Sequence, residues 1–239
     1  MILERCSFVS CVAALCLAAT GCVDGASSSQ DPAIEAVDSQ QGTVPSKHAP
    51  DEYWVKLETT KGDVVIEVKR DWSPYGADRF YELVEDGFFN DCRLFRVVQG
   101  FVVQTGIAAK PDVNAKWKNK NIPDDTFHQG DANRHSNKRG YVTFAKSQMP
   151  NSRTTQFYIN CGDNSRLDGM GFTPFGKVLD GMATVDSFYG GYGEEPLQST
   201  PRIEAEGNTY LDQAFPKLDS IKKATLLSQK PELSKQPAG

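Results

Sequence analysis

From Tyr53 onward the chain is built of short β-branched and aromatic runs cut by turn residues, and this spacing most limits the folds open to it. Residues 54–59 and 63–68 flank Thr60-Lys61-Gly62, a hairpin signal. Ser73-Pro74 reads as an N-cap followed by proline at the first helical position. Phe80, Leu83 and Val84 then share one helical face, and Gly87 supplies a stop. Further strands are expected at 94–98, 101–105, 141–145, 155–160 and 175–179, and a short helix around Met182, Val185 and Phe188. Residues 108–139 are polar and read as a long loop, a length usually reserved for function or disorder. Short strands with two helices point to a β-barrel or a sandwich.

The N-terminus has a different character. Arg5 precedes an apolar run at 8–19, the size of a signal-peptide core and too short to span a bilayer comfortably. The run ends in Ala18-Ala19-Thr20-Gly21-Cys22, which resembles a bacterial lipobox with Cys22 as the lipidated residue; an ordinary secretory signal cut near Gly21 is the other reading. Residues 22–51 have no aromatic residue before their end and little periodicity, so they are expected as a flexible linker. The organisation expected is a signal peptide at 1–21, this linker, a domain with a C-terminal extension at 52–227, and a disordered tail at 228–239.

Charge and cysteine usage narrow the function. The net charge of −5 argues against nonspecific nucleic-acid binding, which needs a basic surface. Four of the six cysteines lie at or before Cys22, leaving Cys92 and Cys161, with no CxxC pair for a zinc ribbon. Those two are expected as free thiols. His48, His128 and His135 lie in polar sequence without a second metal ligand at one-face spacing, so no metal site is expected. No GxSxG, HExxH or Walker loop is present.

One series of motifs goes further. Leu94-Phe95-Arg96-Val97-Val98-Gln99-Gly100-Phe101-Val102-Val103-Gln104-Thr105-Gly106 resembles the signature strand pair of the cyclophilins, the peptidyl-prolyl cis-trans isomerases. Thr155-Gln156-Phe157-Tyr158-Ile159, Leu167-Asp168-Gly169, Phe175-Gly176-Lys177-Val178 and the hairpin at Gly62-Asp63-Val64 follow the family in order. Glu206-Gly207-Asn208-Thr209-Tyr210-Leu211, with Phe215-Pro216-Lys217-Leu218, resembles an extension of some bacterial and plastid members.

The resemblance implies a mainly β fold, a closed eight-stranded antiparallel β-barrel capped by two α-helices. It implies isomerisation of X-Pro bonds with no cofactor, acting on proline-containing polypeptides. Arg96 is then the catalytic residue and Gln104 orients it; Phe101, Val102, Tyr158 and Leu167 line the proline pocket; Gln156 and Ala145 meet the substrate backbone. A membrane partner is expected through Cys22, with the chain a monomer facing the periplasm or cell exterior and no nucleic-acid partner. A proline-peptide-binding chaperone or a surface scaffold with little turnover is the alternative. The chain departs from the family at Phe95 (commonly His), Gln99 (Pro), Val102 (Met), Tyr158 (Phe, adding a hydroxyl expected at the pocket rim) and Arg166 (Trp), and Phe172 stands near a pocket His.

The chemistry suits this residue set. Rotation about X-Pro sacrifices amide resonance and takes tens of seconds or longer uncatalysed. The twisted bond leaves a lone pair on the proline nitrogen, which a fixed, always-protonated guanidinium stabilises better than a mobile ammonium.

Overall fold

The hairpin expected at Thr60 opens the sheet in the computed structural model, which describes residues 42–126 and 134–232. β1 (Glu52–Thr59) alternates half-buried and buried positions, sending Tyr53, Val55, Leu57 and Thr59 inward, as one-sided burial of an antiparallel strand requires. It pairs antiparallel with β2 (Asp63–Lys69) from Glu52↔Lys69 to Glu58↔Asp63. β3 (Cys92–Arg93), β4 (Arg96–Val98), β5 (Val102–Thr105), β6 (Tyr141–Phe144), β7 (Phe157–Asn160), β8 (Pro174–Asp180) and β9 (Ser220–Leu227) complete one antiparallel sheet, ordered β3-β9-β1-β2-β8-β6-β7-β5-β4. The sheet thus has nine strands where eight were expected. Its end strands, β3 and β4, are linked through Leu94-Phe95 and not by a ladder among the described residues.

β9 is the added strand, and it inserts between β3 and β1, with Cys92↔Ile221 and Trp54↔Leu227 in register. Lys222-Lys223 interrupts its alternation, which hid it in the sequence. Five α-helices appear among the described residues where two were expected: α1 (Pro74–Glu85), α2 (Pro111–Trp117), α3 (Met182–Asp186), α4 (Thr200–Glu206) and α5 (Asn208–Ala214). α2 lies inside the stretch read as a loop; Asn114 and Trp117 are its buried positions. No helix among the described residues is long and apolar enough to cross a membrane.

α1 covers one side of the core. Phe80, Leu83 and Val84 are buried as the spacing predicts, and the Phe80 ring lies 5.3, 5.2 and 4.9 Å from those of Phe89, Phe157 and Phe175. The pair with Phe157 is edge-to-face and the other two are tilted, and ring pairs at such separations add to simple area burial. The N-terminus of α1 is not capped by the Ser73 side chain. Asp125, far along the chain, accepts the Tyr75 and Gly76 N–H groups at 3.0 and 2.9 Å, and the Ser73 hydroxyl also donates to it. Arg153 closes this network, 2.9 Å from Asp125. So the polar stretch supplies a structural charge as well as α2.

The last part of the expected linker contacts α1. Ser46 and Lys47 N–H donate to Glu82 at 2.5 and 2.9 Å, and Ala49 N–H donates to Asp78 at 2.9 Å. The expected signal peptide, Cys22, the linker through residue 41, His128 and the tail from residue 233 lie outside the described residues. Cys92 and Cys161 are free and buried; burial pushes their thiols up to about 12 and about 11, so both stay protonated.

Candidate active site

The site is built on a row of residues that strand pairing brings side by side. Arg96 on β4 faces Gln104 on β5, Gln104 faces Tyr158 on β7, and Tyr158 faces Thr143 on β6. The next row, Val97, Val103, Ile159 and Val142, is buried in the main core. Side chains alternate across a strand, so the apolar row forces the polar row to the opposite face. Hydrophobic burial of four aliphatic residues therefore fixes which way Arg96 points.

The turn between β4 and β5 sets the distance of this row from the pocket. Gly100 has φ +73°, which a side chain would strain, and Phe101 N–H donates to Val98 O at 3.0 Å. Gly106, at the other end of β5, has φ +105°, and a Cβ there would sit 2.4 Å from Thr155 O. Glycine is thus required for the close approach of 106 to the strand entry at 155.

All eight residues expected from the sequence line one groove of about 470 Å³: Arg96, Phe101, Val102, Gln104, Ala145, Gln156, Tyr158 and Leu167. Arg96 Nη1 donates to Gln104 Oε1 at 3.0 Å, and Gln104 Nε2 donates to Gln156 Oε1 at 3.0 Å. Gln104 is nearly fully buried, so its amide is held on both ends and cannot swing. The Arg96 guanidinium carbon lies 5.1 Å from the centre of the Phe101 ring. Ala145 N–H already donates to Gln156 O at 2.8 Å, so the group it offers the groove is its carbonyl.

The opposite rim is a 3-10 turn, Ser165–Met170, which carries Leu167. Asn137 ties this rim to the sheet. Its N–H and Nδ2 donate to Asp168 Oδ1 at 2.9 and 2.8 Å, and Nδ2 also donates to Phe172 O at 2.8 Å. Its Oδ1 accepts from Thr143 at 2.8 Å and from the Tyr158 hydroxyl at 3.1 Å. The Tyr158 hydroxyl is therefore not at the pocket rim, as expected, but buried against Asn137. Burial raises that phenol well above its ordinary range, so it acts as a neutral donor. Phe172 lines the groove and meets Tyr158 edge-on at 6.1 Å, filling the region where a pocket His was expected to be missing. Arg166, replacing Trp, packs its guanidinium 4.7 Å from the centre of the Phe101 ring.

Sequence reasoning missed a second wall. Leu197 and Thr200 also line the groove, and Glu194 pairs with Arg96. All three come from the segment that leads into α4. That segment belongs to a second apolar cluster, Phe95, Ile107, Ile203, Tyr210, Leu211 and Phe215, with Tyr192, Leu197 and Leu218 packed against it. Phe95 anchors it from beside Arg96. An imidazole there would be buried among apolar rings, which explains phenylalanine at this position. No short-range spacing signals this wall; its traces in the sequence are Phe95, an apolar residue next to the site, and the apolar residues of the C-terminal extension, Tyr210, Leu211, Phe215 and Leu218. Among the described residues no group of three or more His, Cys, Asp or Glu is arranged to hold a metal ion.

Comparison with known proteins agrees with this geometry. The profile of the family "Cyclophilin type peptidyl-prolyl cis-trans isomerase/CLD" matches residues 54–206. Peptidyl-prolyl cis-trans isomerase B of Escherichia coli (strain K12) is 30% identical over 182 residues, 73% of this chain and 99% of that protein. A human peptidyl-prolyl cis-trans isomerase-like 3 is 36% identical over 134 residues, 55% of this chain and 79% of that protein. Among solved structures, a cyclophilin from Hirschia baltica superposes with a TM-score of 0.54 at 18% identity, covering 77% of both chains. A cyclophilin-type isomerase from Cryptosporidium parvum gives 0.53 at 19% identity, covering 75% of this chain and 99% of that one. The chain belongs to the cyclophilin-type peptidyl-prolyl cis-trans isomerase family and is an enzyme of that activity.

Proposed function

We propose that the enzyme accelerates X-Pro rotation by electrostatic stabilisation from Arg96, with the proline ring held in the apolar pocket of Phe101, Val102, Tyr158 and Leu167. The observation that carries this reading is the Arg96–Gln104–Gln156 chain at the edge of that pocket. As the C–N bond twists, the nitrogen regains a lone pair and the carbonyl loses its conjugation. A guanidinium already oriented by Gln104 meets this charge without reorganising, where a solvated ion would have to be desolvated and aligned. The apolar walls hold the ring while the acyl side of the bond turns, with the Ala145 carbonyl and Gln156 Nε2 available to the peptide backbone.

The clients are proline-containing polypeptides folding outside the cytoplasm, and the enzyme works as a monomer tethered to a membrane by a lipid on Cys22. The small residues before Cys22 and the apolar run at 8–19 support this reading. Replacing Cys22→Ser in the producing cell should move the protein from the membrane to the soluble fraction; retention on the membrane would reject the anchor.

Catalysis is tested by Arg96→Ala in a protease-coupled isomerase assay run in chelator. Turnover should fall by roughly two to three orders of magnitude while binding of an X-Pro peptide persists, the size expected for loss of one preorganised donor. Full turnover in the variant would overturn the mechanism, and negligible turnover in the wild type would favour a peptide-binding chaperone.

A further inference from the structure

Gln104 holds Arg96 from the sheet, and a second group holds it from the other side. Glu194 Oε1 accepts from Arg96 Nε at 3.0 Å and also from Nη2. The two residues are 98 positions apart. Arg96 thus meets Gln104 on its Nη1 corner and Glu194 on its Nε–Nη2 edge, with the Phe101 ring beneath it. A planar guanidinium held at one corner still pivots about that hydrogen bond; a second acceptor on another edge removes the pivot. Of the five N–H groups of an arginine these contacts use three, so two remain for a substrate.

The segment that presents Glu194 is itself fixed to the strand it serves. Val97, the residue after Arg96, donates its N–H to Gly193 O at 3.3 Å. Tyr192 packs edge-on against Tyr189 and Phe215, each 5.2 Å away, and Tyr189 N–H donates to Asp219 Oδ2 at 2.7 Å. Leu197 N–H donates to Glu194 O at 3.1 Å, starting the turn that enters the groove wall. The carboxylate is exposed, but its backbone is held at both neighbours.

We propose that Glu194 is a positioning residue for Arg96, supplied by the segment that leads into α4. That segment thereby becomes part of the catalytic apparatus, with Tyr210, Leu211 and Phe215 of the C-terminal extension packed in the apolar cluster behind it. This rests on the reading of Arg96 as the catalytic group. A carboxylate that merely competed with the substrate, or damped the guanidinium's field, would slow the enzyme; a positioning one speeds it.

The test compares Glu194→Ala and Glu194→Gln in the full chain, with kcat and KM on a short X-Pro peptide obtained separately by NMR exchange. Glu194→Ala should lower kcat by roughly tenfold with KM within about twofold, since small misplacement of a catalytic group can cost up to about a hundredfold. Glu194→Gln keeps an acceptor oxygen and should recover most of that loss. The Arg96 Nε–H resonance should be protected from solvent exchange in the wild type and lose protection in Glu194→Ala. An unchanged or raised kcat in Glu194→Ala, or a change confined to KM, would overturn the proposal. Arg96→Ala is measured beside it. If that variant keeps its turnover, the catalytic reading fails; if it collapses while Glu194→Ala is unaffected, only the present inference fails.

Discussion

Arg96 and Arg153 each sit among carboxylate and neutral acceptors, Arg96 with Glu194 and Arg153 with Asp124 and Asp125, yet they are placed for different work. The Arg96 side chain keeps 19% of its surface exposed and pairs with Glu194, which keeps 54%. Arg153 keeps 3% and pairs with Asp125, also at 3%. Arg153 further donates to Pro123 O and lies 3.3 Å from the Ser73 hydroxyl, and its partner Asp125 closes the N-terminus of α1. The Arg153 guanidinium is turned wholly into the fold, its Nε 3.5 Å from a second carboxylate, Asp124, whereas Arg96 keeps donors toward an open groove. A buried ion pair is expensive to desolvate and expensive to break, so it locks the elements it joins. An exposed pair is worth little to stability, so its geometry is free to serve the chemistry.

The comparison breaks most visibly at Arg153. Arg153→Ala leaves Asp125 buried with backbone donors but no cation, and should cost about 3–5 kcal/mol of unfolding free energy. Chemical denaturation reads this directly. Arg153 does not itself line the groove, although Ser152 and Thr154 beside it do, so the folded fraction should retain most of its kcat; a stability loss under about 1 kcal/mol would show that the Arg153 network is not a lock. Arg96→Ala should do the reverse. Its melting behaviour should stay within about 1 kcal/mol of the wild type, because only an exposed pair and one side-chain hydrogen bond are lost, while turnover collapses. A large destabilisation in Arg96→Ala would erase the distinction between the two arginines.

The two networks also differ in how far the sequence disclosed them. Arg96 and Gln104 were legible through the resemblance of their strand pair to the family motif, and the pairing of that local strand pair sets them opposite each other. The pocket residues were legible through motifs in register, since Phe101, Tyr158 and Leu167 each sit inside a short, recognisable run. What was hidden depends on distant partners. Asp125 caps α1 from about 50 positions away and was read as loop. Glu194 reaches Arg96 from 98 positions away, and the apolar cluster behind its segment packs on Phe95 through contacts no periodicity announces. β9 was hidden for another reason: adjacent Lys222 and Lys223 break the period-two pattern, while pairing to β1 and β3 on its two sides fixes it as a strand regardless. Tyr158 shows the same limit within a motif. Its place in the row was readable, but the direction of its hydroxyl depended on Asn137, which the sequence did not connect to it.

Ionic strength sharpens the comparison with the smallest effect. Raising sodium chloride from 0.1 to 1 M shortens the screening length from about 10 to about 3 Å. The Arg96–Glu194 pair faces solvent and should feel this, while Arg153–Asp125 has no room for counterions. An exposed pair is worth up to about 1 kcal/mol, so wild-type kcat should fall by no more than about fivefold across the titration. Glu194→Gln has no pair to screen, and its kcat should stay flat, converging on the wild type at high salt. The stability difference between wild type and Arg153→Ala should change by less than about 0.5 kcal/mol over the same range, because general salt effects on burial cancel in a difference. If that difference shrank with salt as fast as the kcat advantage of Glu194 did, both pairs would be solvent-screened, and burial could not be what separates the structural arginine from the catalytic one.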